Sequence, residues 1–301
     1  MRCLCSMLAL LLLSACQAPP PLSNIPLSQS PAGREDLDLG MIHDTKSGQQ
    51  LTPQQLADRL AQASRVLVGE QHDNPDHHAL ELWLLQVLAD RRGQGSLLLE
   101  MINPDQQASV DAVRTAIAHG DYPQDLPAAL QWQKGWDWTL YGSIVRYALA
   151  QPYPLIAANL DSAEVMSLYK QPPVQQGKWS SAPEVREQLL EQVRAFHCGL
   201  LPEDRLPAMV AIQQTRDRRM AERLLSAPVP ALLFAGSWHV SKDVGVPLHM
   251  ADLGAKEQPV VLILAEVGAT VDPARADYVW YTPAVPDQDY CAQMRKPSAE
   301  T

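Results

Sequence analysis

The residues best suited to chemistry in this sequence lie in two Gly-x-x-His motifs. Gly69-Glu70-Gln71-His72 follows the apolar run 65–69, and Gly236-Ser237-Trp238-His239 follows the run 230–235. A glycine lets the backbone turn sharply at the end of a strand, so each histidine is predicted to point back over the edge of a sheet. Glu100 ends a third apolar run, and we expect it at the same edge.

If these side chains converge, His72, Glu100 and His239 are predicted to bind a divalent metal ion such as zinc or manganese. Two imidazoles and a carboxylate form the donor set of many such sites. A metal-bound water would then be the nucleophile of a hydrolase, with Glu70 as general acid or base. The alternative is that each is an ordinary loop residue, but the repeated motif favours a site.

Four other polar residues are predicted to line the same crevice: Asn159, Gln213, Arg216 and Asp217. The first follows the apolar run 154–158, and the others lie at helical spacing within 206–225. A solvated helix face is the alternative explanation for the charged residues. The segment Asn159-Leu160-Asp161 could instead cap the helix that follows it.

His77 and His78 fall in the first turn of a helix predicted over 75–92. A cationic imidazole is disfavoured near the positive end of a helix dipole, so the pKa of each is predicted to be low. Each histidine could belong to the site, as a ligand or as a donor that supports a ligand. The alternative is that each is an ordinary surface residue. Asp73 is interpreted as an acid at the helix start rather than as a catalytic base.

The elements that must position these residues predict an α/β fold. Almost continuously apolar runs, typical of strands covered on both faces, predict six strands: 65–69, 96–100, 154–158, 230–235, 259–264 and 277–281. Helices are predicted between them, with Asn74 as N-cap and Pro75 as first residue of the helix over 75–92, and others at about 184–196 and 206–225. This alternation predicts a mainly parallel sheet flanked by helices, with ligands bound where the strands end.

Two segments with helical patterns interrupt this alternation, at about 103–150 and 161–226. We expect these insertions to pack together as a smaller all-helical lobe beside the sheet. Residues 36–290 are predicted to form the folded α/β domain, followed by a C-terminal tail over 291–301.

The first 15 residues predict a bacterial lipoprotein signal peptide. Its apolar run from Met7 to Leu13 follows the basic Arg2 and is far shorter than the ~20 residues that span a bilayer. The run ends in Leu13-Ser14-Ala15-Cys16, which resembles a lipobox, so lipidation is predicted at Cys16. An ordinary signal peptide with a chance cysteine is the alternative.

The predicted location is the cell envelope of a Gram-negative bacterium. By analogy with enteric lipoproteins, Gln17 after the cysteine favours an anchor in the outer membrane, on its periplasmic face. Residues 16–35 are rich in Pro, Ser and Gln and predict a flexible tether. Cys198 and Cys291 remain in the folded part; an oxidising periplasm permits a disulfide between them, and two inert thiols are the alternative. The formal net charge of −10 argues against nucleic acid as a partner.

Five segments together resemble the ChaN family of haem-binding lipoproteins: VGEQHDN, LLLEM, LIAANL, QTRDRRMA and GSWHVSKDVGVPLHM. That family belongs to a superfamily with the Tiki and TraB proteins and the erythromycin esterases, which share a pair of Gly-x-x-His motifs. The resemblance covers roughly residues 40 to 285. It implies a large α/β lobe with a small helical lobe, haem bound at the interface of a homodimer, and a part in iron acquisition. An outer-membrane haem receptor is a further expected partner.

Haem needs an axial ligand and groups that bind its propionates. The sequence has no Cys-x-x-Cys-His motif, which excludes covalent attachment of the c type. Because phenolate suits ferric iron, Tyr141 is the predicted ligand, with Tyr147 and Tyr169 as alternatives. Tyr141 could instead be a core aromatic. Three further residues are predicted to contact haem, the last two through its propionates: Arg146, His197 and Lys178.

The sequence leaves two functions open. The first is a lipid-anchored haem-binding protein of the cell envelope, not necessarily an enzyme, that takes part in haem and iron uptake. The second is a metal-dependent hydrolase, a protease or esterase like the Tiki and erythromycin-esterase members of the superfamily. A serine hydrolase is not indicated, because the sequence has no Gly-x-Ser-x-Gly motif.

Overall fold

The computed structural model describes residues 24–295. The predicted signal peptide over 1–15 and the predicted lipidation site Cys16 lie outside these described residues. Within 24–295, no helix has both the length and the apolar character needed to cross a membrane.

An eight-stranded sheet forms the centre of the molecule, in the order β2-β1-β8-β7-β3-β6-β4-β5. In chain order its strands are β1 Ile42–Asp44, β2 Gln50–Leu51, β3 Arg65–Glu70, β4 Ser96–Leu99, β5 Leu155–Ala157, β6 Ala231–Gly236, β7 Val260–Glu266 and β8 Tyr278–Thr282. Strands β3 to β8 pair in parallel, whereas β1 pairs antiparallel with β8 and with β2. All six predicted strands are therefore confirmed to within two residues. The missed strands, β1 and β2, are too short to show a pattern.

Eleven helices flank this sheet within the described part of the chain. They are α1 Pro53–Ala61, α2 Pro75–Ala89, α3 Gln107–Ala118, α4 Leu126–Ala129, α5 Trp138–Leu149, α6 Ser162–Lys170, α7 Pro183–Phe196, α8 Leu206–Ser226, α9 Ser237–Val240, α10 Val246–Asp252 and α11 Tyr290–Arg295. The start of α2 is as predicted, because the Asn74 side chain accepts hydrogen bonds from the backbone N–H groups of Asp76 and His77. The predicted alternation of strands and helices is thus confirmed as an α/β fold.

The two helical insertions lie on opposite faces of the sheet, and the expectation that they pack together is wrong. Successive strand residues point to opposite faces. Val66 and Val68 of β3 pack in the same core as α2, α3 and α5, whereas Leu67 packs in the core that contains α8 and α10. The smaller helical part comes from the second insertion alone, where Leu189 of α7 and Val210 of α8 belong to a separate apolar cluster.

Both ends of the described chain are attached to this domain. Residues 29 and 30 donate backbone hydrogen bonds to the Asp76 carboxylate, and Ala32 pairs with Ala284 as an isolated antiparallel bridge. The predicted flexible tether over 16–35 is therefore wrong for its last residues. At the other end, Cys198 and Cys291 form a disulfide, the first of the two alternatives for these cysteines.

Candidate functional site

The strands β3, β6, β4 and β5 are adjacent and parallel, so their carboxyl ends meet at one edge of the sheet. A cavity of about 800 Å³ opens there, within the range of about 300–1,000 Å³ typical of small-molecule and cofactor sites. Its lining includes both histidines of the Gly-x-x-His motifs and Glu100, as the sequence predicts. The lining residues are Glu70, Gln71, His72, Asp73, Glu100, Trp136, Gln192, Phe196, Gln213, Arg216, Gly236, Ser237, Trp238, His239 and Tyr290.

The glycines of the two motifs are needed for close approach rather than for a left-handed turn. Neither Gly69 nor Gly236 has a positive φ. A Cβ on Gly236 would lie 3.0 Å from two ring atoms of His72, and one on Gly69 would lie 2.5 Å from Cγ2 of Val240. Any side chain at these positions would push the histidine and the helix α9 away from the strand ends.

His72 is held by a buried carboxylate. Its Nδ1 lies 2.6 Å from Oε1 of Glu70, and the same oxygen accepts a hydrogen bond of 3.0 Å from the Tyr141 hydroxyl. Glu70 is buried, whereas 45% of the His72 side chain is exposed to the cavity. Burial alone would lower the pKa of His72, but the charge and hydrogen bond of Glu70 outweigh it and raise the pKa to about 9. His72 is therefore a cation at neutral pH.

A second imidazole, His239, is held in the same way from the other side of the crevice. Its Nδ1 lies 2.5 Å from Oδ1 of Asp217, and its Nε2 lies 3.4 Å from Oε1 of Glu100. Burial lowers the pKa of His239, but the carboxylates of Glu100 and Asp217 together raise it above the usual value. Asp217, predicted only as a crevice residue, is thus the partner of the second motif.

Glu100 lies between the two imidazoles at the floor of the crevice. Burial would raise its pKa, but the cationic His239 and His72, together with Arg216, lower it to about 2. Its Oε2 also accepts a hydrogen bond of 2.9 Å from the backbone N–H of Gly236. Glu100 is therefore ionised at every physiological pH.

The other predicted crevice residues hold one arginine in place. Arg216 donates through Nε to Asn159 at 2.8 Å and through a terminal nitrogen to Gln213 at 3.0 Å. Asn159 also donates to the backbone carbonyl of Glu100. The predicted capping of the next helix is done by Asp161, which accepts from the backbone N–H of Glu164 at the start of α6.

The predicted metal site is not found in this arrangement. Within residues 24–295, no group of three or more His, Cys, Asp or Glu side chains is placed to hold a metal ion. His72 and His239 each contact a carboxylate through Nδ1, and Nε2 of His239 lies 3.4 Å from Glu100.

His77 and His78 are buried rather than exposed, and their pKa values are shifted in opposite directions. His77 Nδ1 accepts from the backbone N–H of Gln71, and Nε2 lies 2.9 Å from the Thr282 hydroxyl, so the ring is neutral. Burial lowers the pKa of His77 to about 3, which confirms the predicted direction through a different cause. The prediction is wrong for His78: burial is outweighed by its contact with Glu81, and the pKa is raised.

Aromatic side chains form much of the cavity wall. The Trp136 ring meets His72 edge to face at 4.9 Å between ring centres, and Phe196 meets Trp238 at 6.3 Å. Tyr290 completes this wall and donates a hydrogen bond to the Asp73 carboxylate. Sequence reasoning missed Tyr290, because no periodic pattern marks residues 283–295 and the contacts that place them, such as the disulfide and the hydrogen bond to Asp73, are distant in the sequence.

The predicted axial ligand Tyr141 is a core residue. It is 1% exposed, and its hydroxyl is used by Glu70. Burial and the nearby carboxylates of Glu70 and Glu81 raise the pKa of Tyr141 far above its usual value, which disfavours a phenolate there. Neither alternative, Tyr147 or Tyr169, lines the crevice. The core aromatic is therefore the interpretation that fits.

The three predicted haem contacts also lie away from the lining of the crevice. Arg146 lies over the Trp138 ring at 5.2 Å, and Lys178 over the Trp179 ring at 4.3 Å. His197 ends α7 and bonds the backbone carbonyl of Val193. The structure does not support these residues as contacts of a ligand in the crevice; the arginine that lines the cavity is Arg216.

The fold and the crevice define an α/β protein with a ligand-binding cavity at the carboxyl edge of a mainly parallel sheet. A family model described as haem-binding uptake, Tiki superfamily, ChaN matches residues 56–250. Because this match covers more than half of the chain, the protein belongs to the ChaN family of haem-binding uptake proteins. No match is found among curated protein sequences.

Solved structures give the same assignment. The chain is similar to ChaN of Campylobacter jejuni, a structure titled for cofacial haem binding, with 30% identity and a TM-score of 0.74 over 80% of this chain and 95% of that one. An erythromycin esterase, EreC in its open conformation, is 14% identical with a TM-score of 0.45 over 83% and 84% of the two chains. A Bacillus cereus protein is 15% identical with a TM-score of 0.40 over 73% and 72%. The last two similarities are too low to carry an argument about function.

Proposed function

We propose that this protein binds haem in the crevice at the carboxyl edge of the sheet and takes part in haem and iron uptake. The observation that carries the proposal is one cavity of about 800 Å³ that combines aromatic walls with cationic side chains. Haem is a flat apolar ring with anionic propionates, so these are the groups that its binding requires. Membership of a haem-binding uptake family supports the same ligand.

The charges are layered in a way that favours an anionic ligand. The carboxylate of Glu70 is buried beneath His72, whose ring faces the cavity. Asp217 is likewise buried behind His239, and Arg216 lines the cavity beside them. A ligand in the crevice therefore meets the rings of His72 and His239 before their buried partners Glu70 and Asp217; Asp73 and Glu100 also line the cavity.

We assign the axial ligand to Tyr290 in place of Tyr141. Among the tyrosines of residues 24–295, Tyr290 is the one that lines the cavity, and it is 45% exposed. Its hydrogen bond to Asp73 raises the pKa of Tyr290 to about 12, so the phenol stays protonated without a ligand. Asp73 would be placed to accept the phenolic proton if the Tyr290 oxygen held the haem iron.

Haemin titration of the full chain, followed by absorbance, tests this proposal with two matched variants, Tyr290→Phe and Tyr141→Phe. Each variant removes one hydroxyl and keeps the ring. We expect saturable binding by the unmodified protein. Tyr290→Phe should weaken it by about tenfold or more, a loss of roughly 1.4 kcal/mol, and abolish the visible band of phenolate-bound ferric haem. Tyr141→Phe should retain both affinity and band.

Two outcomes would contradict the proposal in different ways. Absence of saturable binding by the unmodified protein would remove haem as the ligand. A phenolate band that survives Tyr290→Phe and disappears in Tyr141→Phe would return the ligand to Tyr141, and the local structure around Glu70 would then have to open.

We further propose that the protein is a homodimer and is anchored by lipid at Cys16 to the periplasmic face of the outer membrane, where an outer-membrane haem receptor would be its partner. Exposed apolar side chains near the crevice support the dimer, among them Phe196 at 56% and Met294 at 50%. The lipobox-like residues 13–16 support the anchor. Sedimentation with and without haemin tests the dimer. Incorporation of labelled palmitate tests the anchor: the natural sequence should incorporate it, and the Cys16→Ser variant should not.

A second candidate function is hydrolysis by acid–base catalysis in the same crevice. His72 and His239, each paired with a buried carboxylate, face one cavity, which is the observation in its favour. Since the pKa values of both histidines are raised, they would act as general acids, with the ionised Glu100 as the base. Ester hydrolysis by the full chain, lost in His239→Gln, would support it. Equal rates for the two proteins would contradict it.

A further inference from the structure

The C-terminal helix α11 is joined to the crevice wall by the disulfide between Cys198 and Cys291. Cys198 comes two residues after Phe196, the last residue of α7, which lines the crevice. Cys291 comes directly after Tyr290, which lines it as well. The bond therefore connects two parts of one wall that are 93 residues apart in the sequence.

Few other interactions hold α11 in place. It has six residues, far fewer than the ~12–15 at which an isolated helix becomes even marginally stable in water. None of its described side chains is fully buried. Within the described residues, the hydrogen bond that joins these side chains to the rest of the chain runs from Tyr290 to Asp73, and Sγ of Cys198 lies 4.0 Å from Sδ of Met294.

The backbone at Cys198 has an unusual conformation. Cys198 has a φ of 56°, in the left-handed region that few residues other than glycine adopt. It is followed by Gly199, also left-handed, at the end of α7. The helix end thus takes an unfavourable conformation at the one residue whose side chain is bonded to α11, which indicates a specific use of that side chain.

We propose that the Cys198–Cys291 disulfide positions Tyr290 as a wall of the crevice and that haem binding therefore depends on the oxidation state of this disulfide. The inference rests on the proposed haem site. When the bond is reduced, the described side-chain contacts that remain between α11 and the rest of the chain are the hydrogen bond to Asp73 and the contact between the sulfurs of Cys198 and Met294, so Tyr290 leaves the crevice. The oxidised protein binds haem, and the reduced protein releases it.

The reduction can be made with a trialkylphosphine, which attacks one sulfur and breaks the S–S bond. Water supplies the oxygen of the resulting phosphine oxide, and the two protons of that water end on the sulfurs of Cys198 and Cys291. The phosphine is oxidised by two electrons and the disulfide is reduced by two, so the reaction needs no further reagent.

The test measures haemin affinity and the visible spectrum of the full chain in three forms: oxidised, phosphine-reduced, and with Cys198→Ser and Cys291→Ser combined. We expect the last two forms to bind at least about tenfold more weakly and to lose the phenolate band. The oxidised Tyr290→Phe variant should give the same spectrum as the reduced protein. Phosphine should not change the double variant further, which controls for effects of the reductant on iron.

Hydrogen exchange distinguishes loss of position from loss of fold. Protection should fall over residues 286–295 on reduction and should persist in β3 and β6. Should the double variant not fold, the reduced natural protein still gives the result. The proposal is overturned if reduced and oxidised proteins share affinity and spectrum. If the oxidised protein binds no haemin at all, the proposed haem function fails first and this inference with it.

Discussion

The cavity is lined by two imidazoles whose pKa values are raised by buried carboxylates. His72 depends on Glu70, and His239 depends on Asp217 and Glu100. Each carboxylate is buried, so its field is weakly screened and the pKa of its imidazole is raised in spite of burial. One oxygen of Glu70 has no hydrogen-bond partner within the described residues, so replacing this carboxylate affects chiefly His72 and Tyr141.

Haem affinity should fall as the pH rises through about 9, where His72 loses its proton. Because the pKa of His72 is raised in the folded protein, the Glu70–His72 pair contributes its full stabilisation below the ordinary pKa of 6.5. This contribution to the free energy of unfolding is lost as the pH rises past about 9. In Glu70→Gln the midpoint should move to lower pH. NMR titration of the His72 ring, beside a haemin titration at each pH, checks both. An unchanged midpoint in the variant would contradict the assignment of Glu70 as the cause.

Among the helices, α2 has a first turn that joins distant parts of the chain. Asp73 binds Tyr290, and Asp76 accepts hydrogen bonds from residues 29 and 30. Between them Asn74 caps the helix and donates both to Glu266 at 2.8 Å and to the backbone carbonyl of Pro283 at 3.0 Å. The helix start that capping rules predict is therefore also where the ends of the domain are attached.

Replacing Asn74 by Ala should lower the free energy of unfolding by about 2 kcal/mol or more. The loss combines an N-cap, worth about 1 kcal/mol, with buried hydrogen bonds to Glu266 and Pro283. Asp161→Ala is the matched control, because Asp161 caps α6 with its own capping box and is only partly buried; about 1 kcal/mol is expected there. Denaturant unfolding of both variants measures the difference. Equal losses would show that the contacts of Asn74 beyond the cap contribute nothing.

In the molecule as a whole, segments outside the sheet core close the domain. Residues 29–32 pair with Asp76 and Ala284 near one end, and the disulfide fastens α11 at the other. Of these two segments, α11 lines the crevice, through Tyr290. These ends are held by hydrogen bonds and one covalent bond rather than by the core.

A chain that begins at residue 34 should be less stable than one that begins at residue 28. The shorter chain leaves the buried Asp76 carboxylate without the donors of residues 29 and 30, a loss of about 1–3 kcal/mol. Thermal and denaturant unfolding of the two chains, each compared with the full chain, gives the measurement. If residues 28–33 were part of a flexible tether, as the sequence predicts, the two chains would be equally stable.

Strands, helix starts and the convergence of both Gly-x-x-His motifs could be predicted from the sequence, because apolar runs and capping residues act locally. The carboxylates that contact His72 and His239 could not be predicted from the sequence in this way. Glu70 is two residues from His72 in the sequence. Asp217 lies on α8, and it contacts His239 only because these two parts of the chain pack together in the folded molecule. Tyr290 carries no local signal at all.

The parallel α/β sheet, the edge of the sheet at which the crevice opens and the family of the chain follow from the amino-acid sequence without coordinates. These properties depend on local periodicity and on short motifs that can be read along one chain. The burial of Tyr141 against Glu70 and the position of Tyr290 in the crevice emerge only from the folded molecule. Side-chain exposure depends on which segments pack over one another, and the segment that carries Tyr290 is placed by a bond between cysteines 93 residues apart.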